Sequence, residues 1–229
     1  RHSYQPGERL PTGFVLRTSP TASRRSLALS SDIVFAASDR VDAHDAGTIA
    51  ALSEAIDRST GSGSQRAETW EDWEETMTEA APSIALLLPH TVHSDLLDVY
   101  GLEIGSGDRR WAGDIDRRLL PADDRPIIVA LFGCETATAG VDYERFPALF
   151  RRAGAEVVLA TLSEVLGRHA APAAEELVRQ LETVGGETPV PFGEVMVRLR
   201  RRLLLEGFPM ILAVTAYGDA DWVLTRGDR

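Results

Sequence analysis

Short, continuous apolar runs alternate with helix-like segments along most of this chain, and this alternation constrains its fold more than any other feature. Each run is unbroken and bounded by turn residues, which is typical of strands buried on both faces of a sheet. The runs are residues 32–38, 84–88, 127–132, 156–161 and 211–216. Between them apolar residues recur at helical spacing, as at Ile49, Leu52 and Ile56. The alternation predicts an α/β fold, a three-layer sandwich with a mostly parallel sheet and helices on both faces.

The chain divides into two regions of different composition. Residues 1–31 are rich in Arg, Ser, Thr and Pro and lack sustained periodicity, so we predict an N-terminal arm or linker with one edge strand at 13–17. Residues 32–229 are predicted to form a single domain. Because the chain begins with Arg1 rather than Met, we expect it to be part of a longer protein.

The charge and the cysteine content of the chain indicate which partners and which cellular compartment to expect. The 24 basic residues, all arginine, are outnumbered by 35 acidic ones, giving a net charge of −11. Such an acidic chain is not expected to have nucleic acid or an anionic membrane as its main partner, because phosphate binding needs clustered positive charge. The single cysteine cannot form an internal disulfide, which favours a reducing cytoplasm. No apolar run approaches the roughly 18 residues of a membrane span.

Polar residues follow the predicted strands, where the sites of open parallel sheets form. Cys134 follows one strand and His90 follows another, so the two side chains could meet at the same edge of the sheet. A thiolate is the nucleophilic form of cysteine, and an imidazole within reach could take the thiol proton and later protonate a leaving amine. The alternative is that Cys134 is a small core residue, because free cysteine is among the most buried residue types.

An ordered set of segments carries a family resemblance. Leu131-Phe-Gly-Cys-Glu-Thr-Ala137 resembles the nucleophile segment of the CHAT family, the bacterial caspase-like domains related to caspases and separase. Residues 146–150 and 154–161 resemble that family's next helix and strand. Residues 192–205 resemble the helix that follows, and 216–219 its closing strand. The resemblance spans roughly residues 86–222.

The resemblance implies a cytoplasmic bacterial thiol protease with a Cys–His dyad. Cys134 would be the nucleophile and His90, rather than His93, the general acid and base. The backbone N–H groups of Thr91 and Cys134 would form the oxyanion hole. Thr91 stands where the family has glycine, a departure that places a more restricted backbone at this position. The implied protein needs no metal or cofactor, cleaves a protein or peptide, and acts in signalling or antiviral defence under the control of attached sensor or repeat modules.

Two acidic residues suggest a specificity. In caspase-like folds, the loops after the first strand and after the strand that follows the nucleophile build the pocket for P1, the residue before the scissile bond. Here those loops carry Asp39 and Glu164, which would favour a basic P1 residue. Arg40 beside Asp39 could neutralise or reverse this preference, and a small apolar P1 is the alternative.

Two other functions stay open at this point. The chain could be a catalytically silent CHAT-like interaction module, a reading that the threonine at position 91 supports. It could also be an α/β hydrolase or ligand-binding domain with Cys134 in its core. A metal site is not expected, because His90, His93 and Asp95 supply too few ligands without further partners.

Overall fold

The computed structural model describes residues 25–30, 32–43, 46–60, 64–122, 125–137, 145–165, 167–185 and 189–226. The helices are α1 (Thr48–Thr60), α2 (Trp70–Ala80), α3 (Phe146–Ala153), α4 (Gly167–Glu182) and α5 (Phe192–Leu205). The first strands are β1 (Ser26–Leu29), β2 (Ile33–Ala37), β3 (Gln65–Ala67), β4 (Ile84–Leu88), β5 (His90–Ser94) and β6 (Val99–Ile104). The later strands are β7 (Asp108–Trp111), β8 (Ile128–Leu131), β9 (Val157–Thr161), β10 (Val190–Pro191), β11 (Val214–Gly218) and β12 (Val223–Arg226).

A central sheet in the order β11-β9-β8-β4-β2-β3 organises the molecule. Neighbouring strands from β9 to β3 run parallel, and β11 pairs antiparallel with β9. Every residue of β2, β4, β8 and β9 is buried, as the continuous apolar runs predict. In this parallel set the strand ends that precede Ser38, Pro89 and Phe132 meet at one edge of the sheet, and that edge carries the candidate site.

Alternate residues of each strand pack against different helix layers. Phe35 belongs to a core cluster that contains residues of α1, α4 and α5. Its neighbour Val34 belongs to a second cluster that contains residues of α2 and α3. Successive side chains of a strand point to opposite faces, so each buried strand supplies both clusters. The three-layer α/β sandwich predicted from the sequence is confirmed.

The local sequence of helix α2 determines where the helix begins and which of its faces packs against the sheet. Thr69 caps it, because its hydroxyl accepts the N–H of Asp72 while the Asp72 carboxylate accepts the N–H of Thr69. The helical spacing of Trp70, Trp73 and Met77 puts all three on one buried face. The Trp73 indole N–H donates to the carbonyl of Leu119 at 2.9 Å, which satisfies its polar atom inside the core.

A second, antiparallel sheet of β5, β6 and β7 stands beside the central one. None of the five apolar runs falls within this sheet, and the sequence predicts His90 only as a polar residue that follows a strand. The structure instead starts β5 at His90, which pairs with Glu103 of β6. Residues of β5 such as His93 are polar and incompletely buried, so they lack the apolar pattern by which strands are recognised.

A third small sheet consists of β1, β12 and β10, with β12 in the middle. Strand β1 falls within the segment predicted to be an arm, and its Leu27 and Leu29 are buried in the core. The strand predicted at 13–17 lies outside the described residues. The run at 211–216 was predicted as one strand, but Pro209–Ala213 form a 3₁₀ helix and β11 begins at Val214. Proline at 209 favours this helical start, because its fixed φ suits the first turn. Within the described ranges, no helix is long and apolar enough to cross a membrane.

Candidate active site

Cys134 lies at the start of a tight turn directly after β8. The backbone of Phe132 continues the sheet by donating to the carbonyl of Leu87 at 2.8 Å. Glu135 then adopts a left-handed conformation with φ of 51°, which is rare for a residue other than glycine. The chain reverses at this point, and Cys134 is left half-buried rather than enclosed in the core. The alternative that Cys134 is a core residue is therefore not supported.

A buried hydroxyl pair holds this turn to β9. The Thr136 hydroxyl donates to the carbonyl of Leu131 at 3.0 Å and accepts the N–H of Thr161 at 3.0 Å. The Thr161 hydroxyl donates to the carbonyl of Gly133. Both threonines are fully buried. Because buried polar groups are costly to leave unpaired, these bonds define one conformation for the segment that carries the thiol.

His90 and Cys134 line the same cleft, whose volume is about 270 Å³. The two residues come from the ends of the paired strands β4 and β8. Gly133 allows the strand ends to approach, since a Cβ atom at this position would overlap the carbonyl oxygen of Pro89. The predicted meeting of the cysteine and histidine segments at one edge of the sheet is thus present in the structure.

Replacing Gly133 by alanine should disturb this approach. We expect Gly133→Ala to lower the free energy of unfolding by about 1–3 kcal/mol, because the backbone of Pro89 must move to admit the methyl group. Urea unfolding measures the change. Gly113→Ala is the matched control, because a Cβ there meets nothing within 4 Å. Equal stabilities of the two variants would contradict the close approach.

Burial and a neighbouring charged cluster together lower the pKa of His90. Glu103, which pairs with His90 across β5 and β6, is 2% exposed and accepts from Arg40 Nε at 2.9 Å and Arg109 Nε at 3.0 Å. Burial lowers the pKa of His90, and the positive charge of Arg40 lowers it further, although Glu103 acts in the opposite direction. The neutral imidazole, which can accept a proton, is therefore favoured at neutral pH.

The same arginines keep Glu103 ionised. Burial raises the pKa of its carboxyl group, but hydrogen bonds from Arg109 and Arg40 more than offset this, so the pKa is lowered overall. One carboxylate between two guanidinium groups leaves this cluster with a net positive charge. This excess positive charge acts on His90, although the whole chain is acidic.

Thr91 contacts the cysteine segment through its side chain. Its hydroxyl donates to the carbonyl oxygen of Cys134, and its backbone pairs with Leu102 of β6. A glycine at this position could not make the hydroxyl contact. The threonine therefore ties β5 to the turn that carries the thiol, and the oxyanion role of its N–H group stays a prediction.

The Cys134 thiol is hydrogen-bonded to the loop after β9. Cys134 Sγ donates to the carbonyl of Val165 at 3.3 Å and accepts the N–H of Val165 at 3.4 Å. Val165 lines the cleft as well. The loop for which the family resemblance implies a role in substrate binding therefore contacts the cysteine through Val165.

The predicted specificity residues lie elsewhere. Neither Asp39 nor Glu164 is among the described residues that line the cleft. Asp39 faces Arg66, with 3.8 Å between Oδ1 and Nη2, and its side chain is 58% exposed. Glu164 is exposed. The adjacent residues Arg40 and Val165 line the cleft instead. The preference for a basic P1 residue therefore stays a prediction, without a described contact to support it.

Unlike His90, His93 is not among the described residues that line the cleft. Its ring contacts Asp95 at 3.0 Å and Asp98 at 3.2 Å at the tip of the β5–β6 hairpin. The ring also packs against Tyr100 in a tilted arrangement, with 4.6 Å between the ring centroids. Over the part of the chain that the structure describes, no group of three or more His, Cys, Asp or Glu side chains is arranged to hold a metal ion.

Sequence reasoning missed the buried pair of Glu103 with Arg109 and the hydroxyl contact of Thr91. One signal for Glu103 was present, because a single acidic residue lies between Leu102 and Ile104 in a strand. Such an acid needs a cationic partner when its strand is buried, and Arg109 and Arg110 follow shortly after. No sequence signal identified the contact between Thr91, which lies in β5, and Cys134, which lies in the turn after β8.

Comparison with known proteins relates the fold to a cysteine proteinase. The chain is similar to RgpB of Porphyromonas gingivalis in a complex of its pro- and mature domains, with a TM-score of 0.58 and 12% identity. The match covers 87% of this chain and 51% of that one. A crystal structure of gingipain R (RgpB), an Arg-specific cysteine proteinase, gives a TM-score of 0.58, 11% identity and coverage of 87% and 50%.

These matches show that the chain shares the α/β fold of those proteins and spans about half their length. No protein-family model and no curated protein matches the sequence.

Proposed function

We propose that this chain is a caspase-like cysteine endopeptidase in which Cys134 is the nucleophile and His90 the general acid and base. One observation carries the proposal: the only cysteine of the chain and His90 line one cleft, at the ends of adjacent parallel strands. The shared fold with a cysteine proteinase supports it. Protein or peptide substrates follow from this chemistry.

The proposed reaction proceeds through a thioester. His90 takes the thiol proton as Sγ attacks the peptide carbonyl carbon, and the carbonyl oxygen becomes an oxyanion. The imidazolium then protonates the leaving amine as the C–N bond breaks. Water, losing a proton to His90, attacks the thioester, and the proton returns to the sulfur as the acid is released. The backbone N–H groups of Cys134 and Thr91 are proposed to stabilise the oxyanion.

The hydrogen bonds of the thiol to Val165 describe a resting position. In that position the thiol proton is directed at a carbonyl oxygen rather than at His90. Catalytic hydrogen bonds often tighten only when substrate is bound. We therefore expect that a substrate bound in the cleft releases Sγ from its hydrogen bonds to Val165. The thiol can then donate its proton to His90.

The resemblance to the CHAT family extends the proposal beyond the described site. It suggests a bacterial, cytoplasmic protease that acts in signalling or antiviral defence and is controlled by sensor or repeat modules. These features are proposed on the resemblance alone.

Profiling with a pooled peptide library tests the proposed activity. We expect the wild-type chain to cleave peptides internally, with fragments identified by mass spectrometry and cleavage sites that share a P1 residue. A chain that cleaves no peptide, and whose Cys134 is not alkylated by a peptidyl electrophile, would contradict the proposal. That result would favour the silent CHAT-like interaction module.

A further inference from the structure

Two hydrogen bonds hold the peptide unit that joins Cys134 to Glu135. The Thr91 hydroxyl, in β5, donates to the carbonyl oxygen of Cys134. The N–H group of Glu135 donates to the carbonyl oxygen of Ser163, in the loop after β9, at 3.1 Å. The C=O and N–H groups of a trans peptide unit point in opposite directions, so the two bonds hold opposite sides of one plane. Together they fix the rotation of this unit about the chain.

The orientation of this peptide unit is one that Glu135 disfavours by itself. The φ angle of Glu135 is 51°. In this left-handed region the Cβ atom of an L residue lies close to the following carbonyl oxygen, so residues other than glycine are uncommon there. Rotation of the unit changes this φ angle directly and would let Glu135 return to a negative value. Strained backbone persists only where surrounding contacts hold it, so loss of the Thr91 contact favours rotation.

The rotation of the unit after Cys134 matters because that unit adjoins the Cα atom that carries the thiol. The preceding unit, between Gly133 and Cys134, is held by the Thr161 hydroxyl, which donates to the Gly133 carbonyl oxygen. Its opposite side carries the N–H group of Cys134, the predicted oxyanion donor. A threonine hydroxyl thus holds the peptide unit on each side of Cys134. The two contacts set the direction of the Cα–Cβ bond, and with it the positions that Sγ reaches when it leaves Val165.

We propose that Thr91 is a positioning residue whose hydroxyl holds the peptide unit after Cys134 against the backbone preference of Glu135. This contact keeps the N–H group and Sγ of Cys134 directed at the cleft that the residue lines. The inference rests on the proposed function and deepens it, because it assigns a role to the side chain of a residue whose N–H group alone was implicated. The threonine that supported a silent module then belongs to the active arrangement.

Three single variants test the role of the hydroxyl, with kcat and KM measured on the best peptide from the library. Thr91→Val keeps the branched shape and the N–H group, and we expect kcat to fall about 10- to 100-fold, the cost of a misplaced reacting group. KM should stay within about 3-fold, because the lost contact positions the nucleophile and does not bind substrate. Thr91→Ser, which keeps the hydroxyl, should retain kcat within about 3-fold. Thr78→Val is the matched control and should match wild type, because the Thr78 hydroxyl donates to the carbonyl of Glu74 within α2 at 2.8 Å.

A double-mutant cycle with Glu135→Gly tests how the hydroxyl acts. Glycine adopts the left-handed conformation readily, so this substitution removes the preference that the Thr91 hydroxyl opposes. In the Glu135→Gly background, Thr91→Val should therefore lower kcat by no more than about 3-fold. Both chains of that comparison lack the Glu135 side chain, so the loss of its own contacts cancels.

The folded fraction of each variant, from urea unfolding, normalises kcat, so partial unfolding does not imitate the result. Should Thr91→Val fail to fold, Thr91→Ala, whose smaller side chain does not crowd the Cys134 carbonyl, takes its place with the same expected loss. A wild-type kcat without the hydroxyl, an equal loss in Thr91→Ser, or an undiminished loss in the Glu135→Gly background would overturn the inference and leave the protease intact. A wild-type chain that hydrolyses no peptide would overturn the proposed function and the inference with it.

Discussion

Replacing Cys134 by alanine is expected to reduce peptide hydrolysis by about 10⁴-fold or more. The thiol is the only cysteine sulfur in the chain, so no neighbouring thiol can take its place as nucleophile. Removing the nucleophile of a covalent mechanism costs nearly all of the rate that the catalytic groups supply together. The measurement is kcat/KM on the best peptide from the library, with wild type and variant prepared in parallel.

The loss should not come from unfolding. Cys134 is half-buried, and alanine removes one sulfur atom with two weak hydrogen bonds to Val165. We expect the free energy of unfolding to change by less than about 1.5 kcal/mol, the size of an ordinary hydrogen bond. A Cys134→Ala variant that is folded and still hydrolyses the peptide at the wild-type rate would exclude Cys134 as the nucleophile.

Replacing His90 by glutamine should lower kcat/KM by about 10³-fold, because a general acid and base contributes about 10²- to 10⁴-fold. His93→Gln is the matched control, since His93 lies in the same strand but its ring contacts Asp95 and Asp98 away from the cleft. The control should stay within about 2-fold of wild type, as expected for a surface substitution. Equal losses in the two variants would assign both histidines a structural role.

The pH profile gives a second test of His90. Because burial and Arg40 lower its pKa, the neutral base persists below the ordinary histidine value of about 6.5. Activity should therefore fall only as pH decreases through a value under about 6.5. Arg40→Gln removes one of the groups that lower the pKa of His90, so this acidic limb should move to higher pH, measured on the best peptide from the library. A limb that stays in place would show that Arg40 does not act on the titrating group.

Much of the fold could be predicted because its signals are local. The buried runs of β2, β4 and β9 contain no polar interruption, and the stripe of Trp70, Trp73 and Met77 needs only helical geometry. Strand β5 escaped prediction because its polar residues are stabilised by pairing with β6 rather than by burial in a core. The start of β11 was misplaced because apolar character alone does not separate a 3₁₀ turn from a strand.

The sequence by itself determined the layers of the sandwich and the position of Cys134 and His90 after two buried strands. The carboxyl ends of parallel strands lie at the same edge of a sheet, so the sequence indicated that the two residues could meet, and the structure showed that their strands are neighbours. Only the tertiary structure decided which charge faces the cleft. Asp39 and Arg40 are adjacent in one short 3₁₀ helix. Arg40 is held beside the cleft by the hydrogen bond from its Nε to Glu103, which is 63 residues away. Which of these two adjacent side chains faces the cleft depends on a distant residue, so the local sequence contains no pattern that predicts it.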